Sequence, residues 1–206
     1  MGKRFAGAKA RTALAALMLF AAAPPVAAQM MSEGYNFLKA VRERDANKAI
    51  PMLDKPGTGV VNTRDYSTGE TGLIIATKGR DIPWMALMLQ RKGKTELRDN
   101  NGDTPLTIAA RLGFMEGAQL LVDNGAAVNL PTNGGETPLI LATQKRDMAM
   151  VRYLLSAGGD PKIADRVTGK TAIDYARDDP RASIVLKMLT DAKPSAPVAG
   201  PARPMR

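Results

Sequence analysis

The chain has 206 residues, of which 45% are hydrophobic and only 4% are aromatic. It can bury a sizeable core, and aliphatic, Ala and Met side chains must fill most of that core. It contains 29 Lys and Arg against 20 Asp and Glu, with no His and no Cys, so its formal net charge is +9. The missing Cys excludes disulfides, thiolate metal sites and cysteine nucleophiles, and the missing His removes the commonest general base and metal ligand.

Residues 1–28 have the pattern of a cleavable signal peptide. Four basic side chains and no acidic ones come first, followed by an apolar run over 12–23 and by small residues at Val26 and Ala28. The run is shorter than the roughly 20 apolar residues that span a bilayer. We therefore expect cleavage before Gln29, export to the periplasm with secretion as a further possibility, and no membrane association after cleavage.

The positive charge is concentrated at the two ends of the chain. Four basic residues lie in the predicted signal peptide and three more lie in residues 193–206. Without those seven, residues 29–192 carry a net charge of about +2. Because a nearly balanced domain lacks the basic surface that nucleic acids select, we expect no nucleic-acid partner.

A repeat runs through the middle of the chain. Four similar segments begin with threonines spaced 33, 33 and 34 residues apart, and each has a glycine two residues before its threonine. In each segment the threonine can cap a helix while the glycine allows a left-handed turn before it. A second helix should follow, ended by Gly125 in one unit and by Gly158 in the next. The repeated threonines are Thr71, Thr104, Thr137 and Thr171.

The segment over 99–113, which reads DNNGDTPLTIAARLG, and its continuation over 120–129 resemble a unit of the ankyrin repeat family. The resemblance implies an all-α solenoid of about five stacked helix-turn-helix units with hairpin-like finger loops. Fingers and first helices then line a concave face. We place the units near 32–61, 62–97, 98–128, 129–163 and 164–192, within a domain over 29–192.

Residues 193–206 predict a disordered tail rich in Pro and Ala. The segment reads KPSAPVAGPARPMR and has no apolar periodicity that could form a packed face. A proline-rich docking ligand is the alternative interpretation of the same residues.

The repeats depart from the family pattern in two ways. Family units usually carry His after Thr-Pro-Leu, and this chain has other residues in all four places, so the hydrogen bonds of that His must be replaced. The fingers before Thr71 and Thr171 are also one residue longer than the finger before Thr104, so we expect them to differ in shape. The residues that replace His are Ile74, Thr107, Ile140 and Asp174.

Trp84 is the only tryptophan of the chain. Its repeat register places it at a packing position of a second helix, and Gly117 occupies the same position 33 residues later. We predict that Trp84 packs in the core and that Gly117 leaves room for its indole.

Catalytic signals are weak, and we assign no catalytic, cofactor or metal residue. Asp178 and Asp179 precede a proline at a helix break, where capping explains them. The loop over 99–103 has no closing Glu of the kind that a calcium loop requires, and none of the glycines introduces a phosphate-binding Gly-Lys-Ser/Thr sequence. We expect a protein that is not an enzyme and needs no cofactor.

What remains is a recognition surface, and the resemblance implies where it lies. In ankyrin repeats the finger tips and the exposed ends of first helices make most contacts with partners. Among the matching positions we favour Tyr66, Arg98 and Arg111, because Tyr and Arg dominate the energetics of interfaces. The full candidate set is Tyr66, Ser67, Lys78, Arg98, Asn100, Asn101, Asp103, Arg111, Asn133, Glu136, Gln144, Lys145, Arg166 and Lys170.

The predicted function is therefore non-catalytic binding of another protein in the periplasm, through the concave face and as a monomer. One alternative is a secreted effector that acts on host proteins. A second alternative is an escort that stabilises an exported enzyme. The identity of the partner lies in a mosaic of side chains that no spacing rule decodes.

Overall fold

A computed structural model describes the backbone of residues 26–192 and the side chains of residues 33–192. The predicted signal peptide lies outside the described residues except for 26–28, which begin the first helix, and the predicted tail over 193–206 lies wholly outside them. Every structural statement below concerns the described residues.

Within residues 26–192, ten α-helices form five successive pairs. The first helix of each pair stacks on the first helix of the next pair along the whole array. This stacking shares one core between neighbouring pairs, as a repeat solenoid requires. The helices are α1 Val26–Arg42, α2 Ala46–Leu53, α3 Gly72–Lys78, α4 Ile82–Gln90, α5 Pro105–Leu112, α6 Met115–Asp123, α7 Pro138–Gln144, α8 Met148–Ser156, α9 Ala172–Asp178 and α10 Ser183–Asp191.

Each repeated threonine caps the first helix of its unit, as the sequence predicts. The hydroxyl oxygen of Thr137, for example, accepts a hydrogen bond of 3.3 Å from the backbone N–H of Ile140, and the other three threonines make the equivalent bond. Pro105 and Pro138 occupy the first turns of α5 and α7, where a missing N–H leaves no helical bond unmade. These caps fix where each repeat begins.

The turn between the two helices of a unit passes through a left-handed residue. This residue is Arg44, Arg80, Gly113 or Arg146 in the first four units, with φ between 51° and 64°. An arginine accepts this backbone conformation at some cost, which glycine avoids. Arg146 also extends to Asp179 of the next unit, at 2.6 Å between Nη1 and Oδ2, and so links neighbouring units.

Two of the second helices end as expected, at Gly125 and Gly158. Gly125 and Gly158 are left-handed, with φ of 84° and 94°. In the second unit the left-handed residue is Lys92, directly before Gly93. The backbone of Gly93 instead approaches α4 closely, since a Cβ there would lie 2.8 Å from the carbonyl oxygen of Met88.

The positions that usually hold His are filled in two different ways. Thr107 and Asp174 form capping boxes, in which their side chains accept from the backbone N–H of the capping threonine. Ile74 and Ile140 are fully buried and replace the polar contact with packing. The repeats therefore alternate between polar and apolar solutions at this position.

Trp84 is 9% exposed and belongs to the core, as predicted, but its pairing with Gly117 is wrong. The space beside Gly117 is taken by the ring of Phe114, the residue directly before α6. A Cβ at Gly117 would lie far inside van der Waals distance of Cδ1 and Cε1 of that ring. Trp84 borders a small cavity that is also lined by Val41 of the preceding unit and by Ala76 of its own unit. The repeat register identified the position correctly and the packing partner incorrectly.

Candidate functional site

Four finger loops connect the units, and they come in two sizes. The middle fingers, 99–103 and 132–136, each close with a backbone hydrogen bond of 2.9 Å between their end residues. The outer fingers, 65–70 and 165–170, contain one more residue and close with bonds of 2.8 and 3.0 Å. The difference in loop length confirms that the outer fingers have a distinct shape.

The fingers are hydrogen-bonded to one another in series. The backbone N–H groups of Asn100, Asn133 and Arg166 each donate to a carbonyl of the preceding finger, at 2.8 to 3.2 Å. The side-chain amide of Asn100 also donates to the backbone carbonyl of Ser67 at 2.7 Å. In the same way, the side-chain amide of Asn133 donates to the backbone carbonyl of Asn100 at 3.1 Å. At Gly135 a side chain would clash with the backbone of Arg166. These bonds hold the finger tips as one continuous edge.

Beside the fingers runs a ladder of charged and polar pairs, one in each of the last four units. The last turn of each first helix carries a residue that reaches back to the base of its own finger. Lys78 Nζ lies 2.8 Å from Glu70, and Arg111 makes two bonds of 2.7 and 2.8 Å to Asp103. We call the set the charge ladder; its helix residues are Arg42, Lys78, Arg111, Gln144 and Asp178, and its finger residues are Asp65, Glu70, Asp99, Asp103, Glu136 and Lys170.

The ladder also connects neighbouring units, because each of its three helix cations serves two carboxylates. Lys78 reaches Asp99 of the next finger at 3.2 Å, and Arg111 comes within 3.9 Å of Glu136. Arg42 of the first unit pairs with two carboxylates of the first finger, Asp65 at 2.7 Å and Glu70 at 3.4 Å. Three cations thus face five carboxylates, which leaves this part of the ladder negative.

Two of these carboxylates are stabilised in their ionised form. Hydrogen bonds from Ser67 and then from Arg42 hold the pKa of Asp65 well below its usual range. Burial raises the pKa of Glu70, but hydrogen bonds and charge from Lys78 and Arg42 outweigh it, so the net shift is downward. The first half of the ladder therefore keeps its negative charges at neutral pH.

Toward the last unit the positive charge of the ladder moves from the helix residue to the finger residue of each pair. In the fourth unit the helix residue is the neutral Gln144, 3.3 Å from Glu136. In the fifth unit the finger carries the cation and the helix carries the anion, with Lys170 Nζ 2.9 Å from Asp178. Lys145 is exposed nearby, at the end of α7. The two ends of the ladder consequently present different charges.

The fourteen predicted site residues do lie along the fingers and the ends of the first helices, but they are not equally accessible. Tyr66 is 95% exposed, whereas Asp103 is only 2% exposed because Arg111 and the hydroxyl of Thr107 cover it. Arg98 is half-buried and donates to the carbonyl of Pro131. Asp103 therefore offers little surface to a partner, and its predicted role as a contact residue stays a prediction. The other members are exposed or half-buried: Ser67, Lys78, Asn100, Asn101, Arg111, Asn133, Glu136, Gln144, Lys145, Arg166 and Lys170.

Several ladder residues are absent from the predicted set. Glu70 has the same register as Asp103, Glu136 and Lys170, so the repeat spacing alone could have found it. Arg42 lies in the divergent first unit, where no repeated motif marks its position. Its contact with the first finger emerges only when the units are stacked.

A cavity of about 680 Å³ lies at the N-terminal end of the array, between the middle of α1, the segment over 58–63 and the first finger. Tyr35 and Tyr66 stand at its sides, and they are 63% and 95% exposed. Leu38 and Val60, both nearly inaccessible, contribute to its lining. We call this space the N-terminal cavity.

The described part of the chain contains neither a cluster of metal ligands nor a helix that could span a membrane. No group of three or more Asp and Glu side chains in residues 33–192 is arranged to hold a metal ion. None of the helices over 26–192 is long and apolar enough to cross a bilayer.

Comparison with known proteins agrees with the architecture. A family model for ankyrin repeats in three copies matches residues 37–132, and a second model for ankyrin repeats in many copies matches residues 121–176. The chain belongs to the ankyrin repeat family. A search of curated proteins returned no match. Ankyrin repeats generally mediate interactions between proteins and are typically non-catalytic.

Proposed function

We propose that this protein is a non-catalytic binding module of the periplasm, which recognises another protein through the face formed by its fingers and first helices. One observation carries the proposal. The fingers are joined in series by backbone hydrogen bonds, and the charge ladder runs beside them through the same units. A pre-organised polar surface of this kind binds a partner without first having to be ordered.

The structure changes which side chains are best suited to contact that partner. Arg98 and Arg111 already bond to groups within the array, so truncating either would disturb the array as well as any interface. Tyr66, Lys145 and Arg166 are exposed, and none of them takes part in the ion pairs found among residues 33–192. They offer an aromatic anchor and two cations that a partner can reach.

The test is crosslinking in intact cells followed by mass spectrometry. We expect one dominant partner with the natural chain and its loss from the triple variant Tyr66→Ala/Lys145→Ala/Arg166→Ala. A matched control replaces three exposed residues of the second helices, which are Gln119, Arg152 and Lys187. The control variant should keep the partner. Enrichment of no partner, or equal loss from both variants, would contradict the proposal.

The periplasmic location rests on the signal pattern over 1–28 and is tested separately by cell fractionation. We expect the mature chain in the periplasmic fraction, with an N-terminus at Gln29. Accumulation in the growth medium would favour the secreted effector instead. If the crosslinked partner is an exported enzyme that becomes unstable when this protein is deleted, the role is that of an escort.

A further inference from the structure

We propose that the N-terminal cavity binds a proline-rich extended segment, and that its occupant is the segment 193–206 of a second copy of this chain. The site is distinct from the partner interface proposed above, although Tyr66 borders both. The proposal adds a route by which copies of the protein associate head to tail.

The first argument is the position of the tyrosines. The chain has four, and Tyr153 and Tyr175 are half-buried, the latter with its hydroxyl donating to Asp165 at 3.0 Å. The other two, Tyr35 and Tyr66, are exposed and border the same cavity. In a chain so poor in aromatic residues, both exposed tyrosine rings thus border one cavity. Rings at the sides of an apolar depression resemble the grooves in which proteins bind polyproline II segments.

The second argument is the spacing of prolines in the proposed occupant. Residues 194–197 and 201–204 both follow the pattern Pro-x-x-Pro. A polyproline II helix has three residues per turn, so the two prolines of each motif share one edge, about 9 Å apart. Such a segment loses little entropy on binding because proline restricts its backbone in advance.

Charge does not add to the selection of this segment. The segment 193–206 contains three basic residues and no acidic ones. The two carboxylates that line the N-terminal cavity, Glu33 and Asp65, already pair with Lys55 and Arg42, each at 2.7 Å. The prolines and the two tyrosine rings therefore carry the recognition.

The occupant must come from another copy because the segment cannot reach the cavity of its own chain. Four stacking steps separate α1 from α9. At the usual interaxial spacing of 8–10 Å these amount to roughly 32–40 Å. Pro201 follows Ala192 by nine residues, which span about 28 Å in the polyproline II form that the proposal requires. In that form neither motif reaches the space between Tyr35 and Tyr66 of the same molecule.

The experiment uses a fluorescent synthetic peptide with the sequence of residues 193–206, titrated with the purified full chain and followed by anisotropy. We expect saturable binding that weakens by about tenfold or more in the variant Tyr35→Ala/Tyr66→Ala, because aromatic residues dominate such contacts. Both side chains are largely exposed, so the fold should not depend on them. The matched control, Arg166→Ala/Val167→Ala, changes the equivalent tip of the last finger and should bind as the natural chain does. A peptide in which all four prolines are alanine should not bind.

Sedimentation of the full chain tests the source of the occupant. We expect association that rises with protein concentration and disappears when the four prolines of 193–206 are replaced by alanine. Absence of saturable peptide binding, or binding that the two tyrosine substitutions leave unchanged, would overturn the proposal. A chain that stays monomeric at all concentrations while its cavity binds the peptide would overturn the choice of occupant. None of these results depends on the crosslinked partner, so the two proposals can fail separately.

Discussion

Gly117 offers the sharpest test of how neighbouring side chains pack in the second helices. In most helix interiors, replacing Gly by Ala stabilises the protein by about 0.5–1 kcal/mol. At Gly117 the added methyl group would overlap two ring carbons of Phe114, which is itself only 5% exposed. Overpacking of this kind costs about 1–3 kcal/mol. We therefore expect Gly117→Ala to lower the free energy of unfolding by about 1–2 kcal/mol, since the clash outweighs the gain in helix propensity.

The effect is measurable by thermal unfolding followed with far-UV circular dichroism. For a protein of this size a change of 1 kcal/mol moves Tm by about 2–4 °C, so the expected decrease is roughly 2–8 °C. The control is the same substitution in a Phe114→Ala background. There the ring is absent, and Gly117→Ala should be neutral or stabilising. The two substitutions should therefore be strongly non-additive.

The fluorescence of Trp84 separates the two possible packing partners. If the ring of Phe114 fills the space beside Gly117, the Gly117→Ala variant should keep the emission maximum of the natural protein below its transition. A variant that is as stable as the natural chain in both backgrounds would refute the packing argument. A large spectral shift of Trp84 would instead restore the indole as the neighbour of Gly117.

Three further predictions concern the caps, the fingers and the links between units. Thr137→Val removes the cap of α7 while keeping the side-chain shape, so Tm should fall by the equivalent of about 1 kcal/mol. Asn133→Ala removes a bond between the middle fingers, so hydrogen exchange of the finger amides should accelerate while exchange within α5 and α7 stays unchanged. Hydrogen bonds, first from Arg146 and then from the backbone of Arg181, lower the pKa of Asp179 from 3.8 to about 2. This lowered pKa stabilises the fold above pH 3.8, and the contribution is lost as the pH falls toward 2, so acid denaturation of Arg146→Ala should show a shallower decline over that range.

Local features of the sequence were sufficient to predict the units. The capping threonines and the finger glycines act through the backbone of their own segment, so their roles follow from residue type and spacing. The one-residue difference between outer and middle fingers could likewise be counted directly. Stacking was predictable in outline because a single helix pair cannot bury its apolar face.

Contacts between side chains were much less predictable. Register placed Trp84 and Gly117 at the same position of successive units, but the ring beside Gly117 belongs to Phe114, which directly precedes the same helix. Asp103 looked like a finger-tip contact, and Arg111 covers it from eight residues away. Both outcomes depend on the direction in which a long side chain extends, which the repeat period does not specify.

The sequence by itself therefore determined the family, the number of units and the residues that cap the first helices of the last four units, because those features depend on the backbone and on interactions within a few residues. Only the tertiary structure decided which charges neutralise one another, which candidate residues stay exposed and that Tyr35 and Tyr66 border one cavity. These properties arise where units separated by about 33 residues come into contact, and they depend on distances that a linear pattern does not contain.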